Sequence, residues 1–204
     1  MRAVIIGGGR VTDYELLKGQ IKENDTIICA DSGYDHAVKM GLSVSAVVGD
    51  FDSIKSIPQD VTAIKYPSKK DMTDTELAIE YARGKGFNDF LLIAMTGSRL
   101  DHTLANILLL KGFLGRNEHA VILDEHNKIM LTDSVLHLCE PTGSIVSLLP
   151  LSDCHGVSTE NFEYPLHNAS LLRGTTLGIS NIMTTQHAAV SLNEGLLLVV
   201  VARD

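Results

Sequence analysis

Asp50 and Asp52 stand one residue apart in Val47-Val48-Gly49-Asp50-Phe51-Asp52-Ser53, where an apolar run ends at a glycine. In an extended chain that spacing puts both carboxylates on one face. Left alone, the two charges repel and raise one another's proton affinity. A shared cation removes the conflict, and oxygen-only ligands suit Mg²⁺, which binds one or two carboxylates together with substrate phosphates. An isolated Asp-x-Asp is more readily a turn with two solvated acids. The metal reading therefore rests on what else reaches the same place.

Further acids stand where apolar runs give way to helical patterns. Asp31 lies in Ala30-Asp31-Ser32-Gly33, and Asp71 and Asp74 in Lys70-Asp71-Met72-Thr73-Asp74. Asp101 lies in Thr96-Gly97-Ser98-Arg99-Leu100-Asp101-His102. In an open parallel sheet such junctions share one edge, the carboxyl ends of the strands, where ligands bind. Asp31, Asp50, Asp52, Asp74 and Asp101 are therefore expected to converge. Taken singly, Asp71, Asp74 and Asp101 also sit where caps and first-turn acids stabilise a helix by about 0.5–2 kcal/mol without any chemistry. Asp31 by itself reads equally as a turn acid.

Arg99 and Lys70 bring cations to the same loops, Arg able to grip phosphate bidentately and Lys as a point charge. Helix starts after Thr96-Gly97-Ser98 and Ser68-Lys69-Lys70 add free backbone N–H groups. Acids, cations and helix starts together describe a metal–polyphosphate site. The Gly7-Gly8-Gly9 run is not a dinucleotide fingerprint, since the sixth position of a Gly-x-Gly-x-x-Gly reading is Thr12, and there is no Walker A sequence. It reads as a tight turn beside a ligand. His102 can touch phosphate from a first turn, whereas the other histidines, His36 among them, show no metal spacing. Ser32 and Ser53 lack the Gly-x-Ser-x-Gly setting of a hydrolase nucleophile.

The elements that must position these residues are legible in outline. Strands are expected at Ala3–Ile6, Thr26–Ala30, Ala46–Val48, Thr62–Tyr66, Phe90–Met95 and Ala120–Leu123. Helices are expected near Asp13–Lys22, Tyr34–Met40, Thr73–Arg83 and Thr103–Leu114. Strands apolar throughout and separated by helices predict a mainly parallel sheet covered on both faces, Rossmann-like and three-layered. The helix after Thr73 is the best marked: Thr73 and Glu76 have capping-box spacing, Leu77, Ala78, Tyr81 and Ala82 form a stripe, and Gly84 and Gly86 supply a stop. After about residue 126 the helical period fades. Ser144–Leu149, Ser170–Leu172, Ala188–Leu192 and Leu196–Val201 alternate with turn residues, which predicts a small antiparallel sandwich or barrel. The expected domains are 1–125, α/β, and 126–204, all-β, packed together.

At 204 residues with 45% hydrophobic composition the chain can bury a core. A formal charge of −8 argues against nucleic acid, whose binding needs Lys and Arg to displace phosphate counterions. It does not argue against a nucleotide bound through Mg²⁺. Three scattered cysteines, Cys29, Cys139 and Cys154, read as reduced thiols of a cytoplasmic protein, with Cys29 a core residue. The apolar run before Gly7 reads as a first strand rather than a signal peptide, and no stretch reaches membrane-spanning length.

Taken together, Ala30-Asp31-Ser32-Gly33, Gly49-Asp50-Phe51-Asp52-Ser53, Lys70-Asp71-Met72-Thr73-Asp74 and Gly97-Ser98-Arg99-Leu100-Asp101-His102-Thr103-Leu104-Ala105-Asn106 resemble thiamine pyrophosphokinase in order and spacing. Tyr164-Pro165-Leu166, Gly178-Ile179-Ser180-Asn181 and Gly195-Leu196-Leu197 extend the match into the β-rich half. The resemblance implies transfer of pyrophosphate from ATP to the hydroxyl of thiamine, with release of AMP and a need for Mg²⁺. It also implies an α/β nucleotide-binding domain, a β-sandwich domain, and a homodimer with thiamine bound where the subunits meet. By that resemblance Asp50, Asp52 and Asp74 hold the metal, and Asp31, Lys70, Thr96, Arg99 and Asp101 line the nucleotide. Asp71, Thr73 and His102, in the same loops and first turns, join the ATP contacts. Ser180 and Asn181 lie near the thiamine ring.

The sequence departs from the family pattern in places. Ser32 and Ser98 replace glycines, Asn161-Phe162-Glu163 replaces a Gly-Leu-Lys-like run, and the chain has no Trp to stack on the ring, which leaves Phe162 and Tyr164 as candidate stacking faces. The alternatives are a pyrophosphokinase for another hydroxymethyl heterocycle such as a pterin, a nucleotide sensor without turnover, and a nucleotide hydrolase.

Overall fold

Arg2–Ile6 forms the first strand, β1, and Ala3 to Ile6 are wholly buried. The N-terminal apolar run is thus a core element. The computed structural model describes residues 1–51, 59, 61–67, 69 and 71–203; Asp52 and Lys70 lie outside the described residues. The chain divides into two compact units, Met1–Glu125 and His126–Asp204.

In the first unit β1 is followed by α1 (Tyr14–Lys18), β2 (Thr26–Ala30), α2 (Gly33–Lys39), β3 (Val44–Gly49), β4 (Thr62–Lys65), α3 (Asp74–Gly84), β5 (Asp89–Ile93), α4 (Leu100–Leu109) and β6 (His119–Leu123). Every pairing among these strands is parallel, in the order β6-β5-β1-β2-β3-β4. Val4, Ile6, Ile27, Cys29, Val47, Leu91 and Ile93 share one cluster with Leu17, Ala37 and Met40, so α1 and α2 cover that face. The alternate residues Ala3, Ile5, Ile28, Val48, Phe90 and Leu92 are also buried, and α3 packs on β1, β2 and β3. Burial on both faces explains why these strands are apolar throughout. It also makes Cys29 inert, since burial pushes its thiol up to about 12.

Local signals set some boundaries and miss others. Thr73 caps α3 as its spacing predicts, its hydroxyl accepting from Glu76 N at 3.2 Å, and Leu77, Ala78, Ile79 and Ala82 are buried. The first helix is shorter than expected. Asp13 caps it by accepting from Leu16 N at 2.9 Å, and it ends at Gly19 instead of reaching Lys22. β5 stops at Ile93 rather than Met95 because Ala94 adopts a left-handed φ of 56°. α4 begins at Leu100, three residues before the expected start, because Arg99 is extended and already occupies the cap position. Asp101 and His102 therefore sit in a first helical turn rather than in a loop.

The second unit is all-β. Its strands are β7 (Asn127–Thr132), β8 (Val135–Cys139), β9 (Ile145–Pro150), β10 (Cys154–Glu160), β11 (Ala169–Leu171), β12 (Asn181–Ile182), β13 (His187–Ser191) and β14 (Leu197–Ala202). They pair antiparallel in two groups, β12-β9-β14-β7 and β11-β10-β13-β8. β7, β8, β10 and the two-residue β12 were not expected from the sequence. Their polar and strand-forming residues do not alternate cleanly, and cross-strand partners decide their state. Among the described residues no helix is long and apolar enough to cross a membrane.

Candidate active site

The strand order of the first unit reverses at β1, with β2 on one side and β5 on the other. Ligands of open parallel sheets bind at such a reversal, beyond the carboxyl ends of the strands. The loops after β1 and β5 meet there through backbone: Gly9 N donates to Ala94 O at 2.7 Å and Arg10 N to Thr96 O at 2.8 Å. A Cβ on Gly9 would lie 2.3 Å from Thr96 O, so the glycine run is what lets the two loops touch.

A cleft of about 640 Å³ opens over this junction. Gly8, Gly9 and Arg10 after β1, Asp31 and Ser32 after β2, and Asp50 after β3 line it. Met72 to Thr75 at the start of α3, Met95 to Arg99 after β5, and His102, Thr103 and Asn106 of α4 complete it. Of the residues expected from sequence, Asp31, Asp50, Thr73, Asp74, Thr96, Arg99 and His102 therefore share one cleft. Asp71 is exposed and not among the lining residues. Asp101 does not line it directly but pairs with Arg99, Nη2 to Oδ2 at 2.6 Å.

The acids crowd closely. A Cβ on Gly49 would lie 3.3 Å from Asp74 Oδ1 and 3.1 Å from Asp31 Cβ, which brings Asp74 and Asp31 against the peptide that leads into Asp50. Asp31, Phe51 and Ala94 all hold left-handed φ angles, 44°, 66° and 56°. Each follows the carboxyl end of a sheet strand, where strained backbone tends to collect at functional sites.

Other side chains hold the cleft wall in place. Thr96 Oγ1 donates to Asp124 Oδ2 at 2.8 Å, and Asn106 Nδ2 to Met95 O at 2.8 Å. Thr103 Oγ1 accepts from Gly97 N at 3.1 Å. Glu125 Oε1 accepts from the backbone N–H groups of Thr12 and Asp13. The sequence assigns no role to Arg10 or Asp124, nor to Thr103 and Asn106, although these two stand in the motif that runs from Gly97 to Asn106. Arg10 had a signal, a cation directly after a glycine turn; Asp124 had none, because its partner lies 28 residues away. The Arg99–Asp101 pair is open to solvent on both sides and so adds little stability. Arg99 holds the Asp101 carboxyl down at about 2.

His36, which sequence reading treated as ordinary, joins this scaffold. Its Nε2 lies 2.8 Å from Gly9 O and its Nδ1 2.9 Å from the Tyr14 hydroxyl. A carbonyl only accepts, so Nε2 carries the proton and Tyr14 donates to Nδ1. Burial pushes the imidazole below its ordinary value. The Gly9 carbonyl opposes that shift, Lys39 adds to it, and Asp35 and Glu125 oppose it. The unfolded chain therefore takes up this proton first, so stability falls as pH drops below about 6.5 and levels off beneath the lowered native value. His36→Gln keeps a donor for Gly9 O without titrating. Thermal melts at pH 7 and pH 5.5 should show a smaller loss in that variant than in the wild type; equal losses would assign the effect to another group.

In the second unit Ser180 and Asn181 differ in kind. Ser180 is exposed, with a left-handed φ of 56°, and its N–H donates to Ser147 Oγ at 3.1 Å. Asn181 is buried, and its amide is used by main chain: Oδ1 accepts from Tyr164 N at 3.1 Å and Nδ2 donates to Tyr164 O at 2.7 Å.

Comparison with known proteins decides the family. Residues 17–122 match the family described as "Thiamin pyrophosphokinase, catalytic domain", and residues 133–197 match "Thiamin pyrophosphokinase, vitamin B1 binding domain". The chain belongs to the thiamin pyrophosphokinase family. The thiamine pyrophosphokinase of Bacillus subtilis is 30% identical over 98% of each chain. The crystal structure of that enzyme superposes with a TM-score of 0.88 at 26% identity, covering all of both chains. The thiamin pyrophosphokinase of Geobacillus thermodenitrificans superposes at 0.87 with 27% identity, over 100% of this chain and 98% of the other.

The cleft of this thiamin pyrophosphokinase family member lies within the described part of the first unit. Its donor set fits a hard dication, since Asp50 and Asp74 offer oxygens beside a polyphosphate-sized space and Mg²⁺ needs only one or two carboxylates. Among the described residues no three His, Cys, Asp or Glu side chains close on a common metal position. Asp52, the third expected ligand, lies outside them.

Proposed function

We propose that the first unit holds Mg-ATP in the cleft at the strand reversal and that the second unit receives thiamine. The activity is that of an ATP:thiamine diphosphotransferase, giving thiamine diphosphate and AMP. The observation that carries the site assignment is the convergence of Asp31, Asp50 and Asp74 with Arg10 and Arg99 on one cleft.

In this reading Asp50, Asp52 and Asp74 hold Mg²⁺, which when bound supplies positive charge to the phosphates. Arg99 and Lys70 neutralise further phosphate charge, and Asp124 keeps the Thr96 hydroxyl in place beside them. Asp31, Thr73 and His102 complete the nucleotide contacts, with Asp101 acting through Arg99 and Asp71 at the rim. The thiamine hydroxyl oxygen attacks the β-phosphorus in line, a new P–O bond forms, and the bond from that phosphorus to the bridging oxygen breaks. AMP leaves with the electron pair. Catalysis is then mainly positioning and electrostatic stabilisation. A carboxylate takes the hydroxyl proton, and Asp74 and Asp101 are the candidates.

The finer fold reading is a three-layer, Rossmann-like first unit and a β-sandwich second unit, supported by burial on both faces of the parallel sheet and by the antiparallel pairings. A homodimer is supported by α4, where Leu100, Leu104 and Leu108 recur every fourth residue and are each half or more exposed. A sedimentation experiment finding a stable, fully active monomer would remove it. Free cysteines at 29, 139 and 154 support a reducing, cytoplasmic setting, and the charge of −8 speaks against nucleic acid.

The test is mass spectrometry of ATP, Mg²⁺ and thiamine incubated with the protein. Thiamine diphosphate and AMP are expected in equal amounts; ADP, or pyrophosphate without acceptor, would overturn the reading.

A further inference from the structure

Asp124 follows β6 and is buried, and Thr96 follows β5 in the wall of the cleft. Thr96 Oγ1 lies 2.8 Å from Asp124 Oδ2. A carboxylate only accepts and a threonine hydroxyl has one hydrogen, so that hydrogen is committed to Asp124. What Thr96 keeps for a ligand is the lone pairs of its oxygen. An ionised phosphate oxygen also only accepts, so this hydroxyl is no phosphate contact. It needs a ligand group that donates.

The acceptor is held still. Arg10 N donates to Thr96 O at 2.8 Å, Asn106 Nδ2 to Met95 O at 2.8 Å and Gly97 N to Thr103 Oγ1 at 3.1 Å, so the backbone on both sides of the hydroxyl is engaged. A group fixed before binding gives up little entropy when it meets a ligand. Its place in the sheet says which part of the nucleotide it meets. The order β5-β1-β2-β3 leaves three strand spacings, about 14 Å, between the strand ends that carry Thr96 and Asp50. The acids that suit Mg²⁺ and the transferred phosphates, Asp50 and Asp74, stand at the β3 end. A nucleotide laid along the strand ends with its phosphates there carries its sugar toward β5, and a ribose offers two hydroxyl donors.

We propose that Thr96 is a specificity-determining residue that accepts a hydrogen bond from a ribose hydroxyl of the nucleotide, with Asp124 as the positioning residue that fixes its polarity. This rests on the cleft holding Mg-ATP. The test is calorimetric titration of the protein with the Mg²⁺ complexes of ATP and its 2′- and 3′-substituted analogues, without thiamine. At least one of 2′-deoxy-ATP and 3′-deoxy-ATP should bind about three- to tenfold more weakly than ATP. At that position an amino group, which donates, should restore binding, and fluorine, which only accepts, should not. Thr96→Val should bind ATP and the weaker deoxy analogue alike, while Thr96→Ser, which keeps the hydroxyl, should keep the preference for ATP. Equal binding of all three nucleotides by the wild type, rescue by fluorine, or a preference that survives in Thr96→Val overturns the inference while leaving the ATP site standing. Failure of the wild type to bind Mg-ATP overturns the site itself, and the inference with it.

Discussion

Asp50→Asn lowers turnover by about a thousandfold while the protein stays folded. The substitution keeps the shape of the side chain and removes its charge from a cleft where Asp31 and Asp74 crowd the peptide just before it. Loss of one charged ligand from a cation that must also hold polyphosphate removes stabilisation made at the transition state, and single electrostatic groups of this kind are worth about 10²–10³ in rate or more. Folding should be retained, because Asn keeps the volume and much of the hydrogen-bonding capacity of the side chain. The measurement is AMP release at saturating Mg²⁺ beside a thermal melt without Mg²⁺. Asp52→Asn should behave alike, and near-wild-type rates in both variants would remove the metal assignment.

Gly9→Ala should damage stability and nucleotide binding together. The added methyl would stand 2.3 Å from Thr96 O and 2.4 Å from Ala94 O, both backbone atoms that cannot swing aside as a side-chain tip can. The loops after β1 and β5 must separate, and with them go the hydrogen bonds from Gly9 N and Arg10 N. Overpacking of this kind costs about 3 kcal/mol, or roughly 6–12 °C in midpoint for a chain of this size. Because those loops line the cleft, KM for ATP should rise as well. Gly84→Ala is the control, since nothing lies within 4 Å of the added methyl and α3 gains a better helix former. If Gly9→Ala melts with the control, the close approach of the two loops carries no weight.

The residues that converge were legible because their positions followed a topological rule. An acid directly after an apolar run, repeated along an alternating strand–helix pattern, needs no knowledge of side-chain contacts to be assigned to one sheet edge. The cap at Thr73 was legible for the same reason, since both partners lie within one turn. What failed was non-local. β7, β8 and β10 are held by partners far along the chain, and Asp124 reaches Thr96 across two strand ends. Arg10 and His36 gain their roles only when β1, α2 and β5 are packed side by side.

The sequence by itself determined the chemistry on offer: carboxylates, cations and glycines at strand ends, in an order that resembles one family of enzymes. It left Phe162 and Tyr164 as equal candidates and gave Asn181 a direct role near the thiamine ring. In the tertiary structure Phe162 is buried, Tyr164 is exposed, and the Asn181 amide binds the Tyr164 backbone. A ring is a platform or a core residue according to what packs over it, and an amide binds a ligand or a backbone according to which partner stands within 3 Å. Those are properties of neighbours brought together by folding, and no local pattern of residue types encodes them.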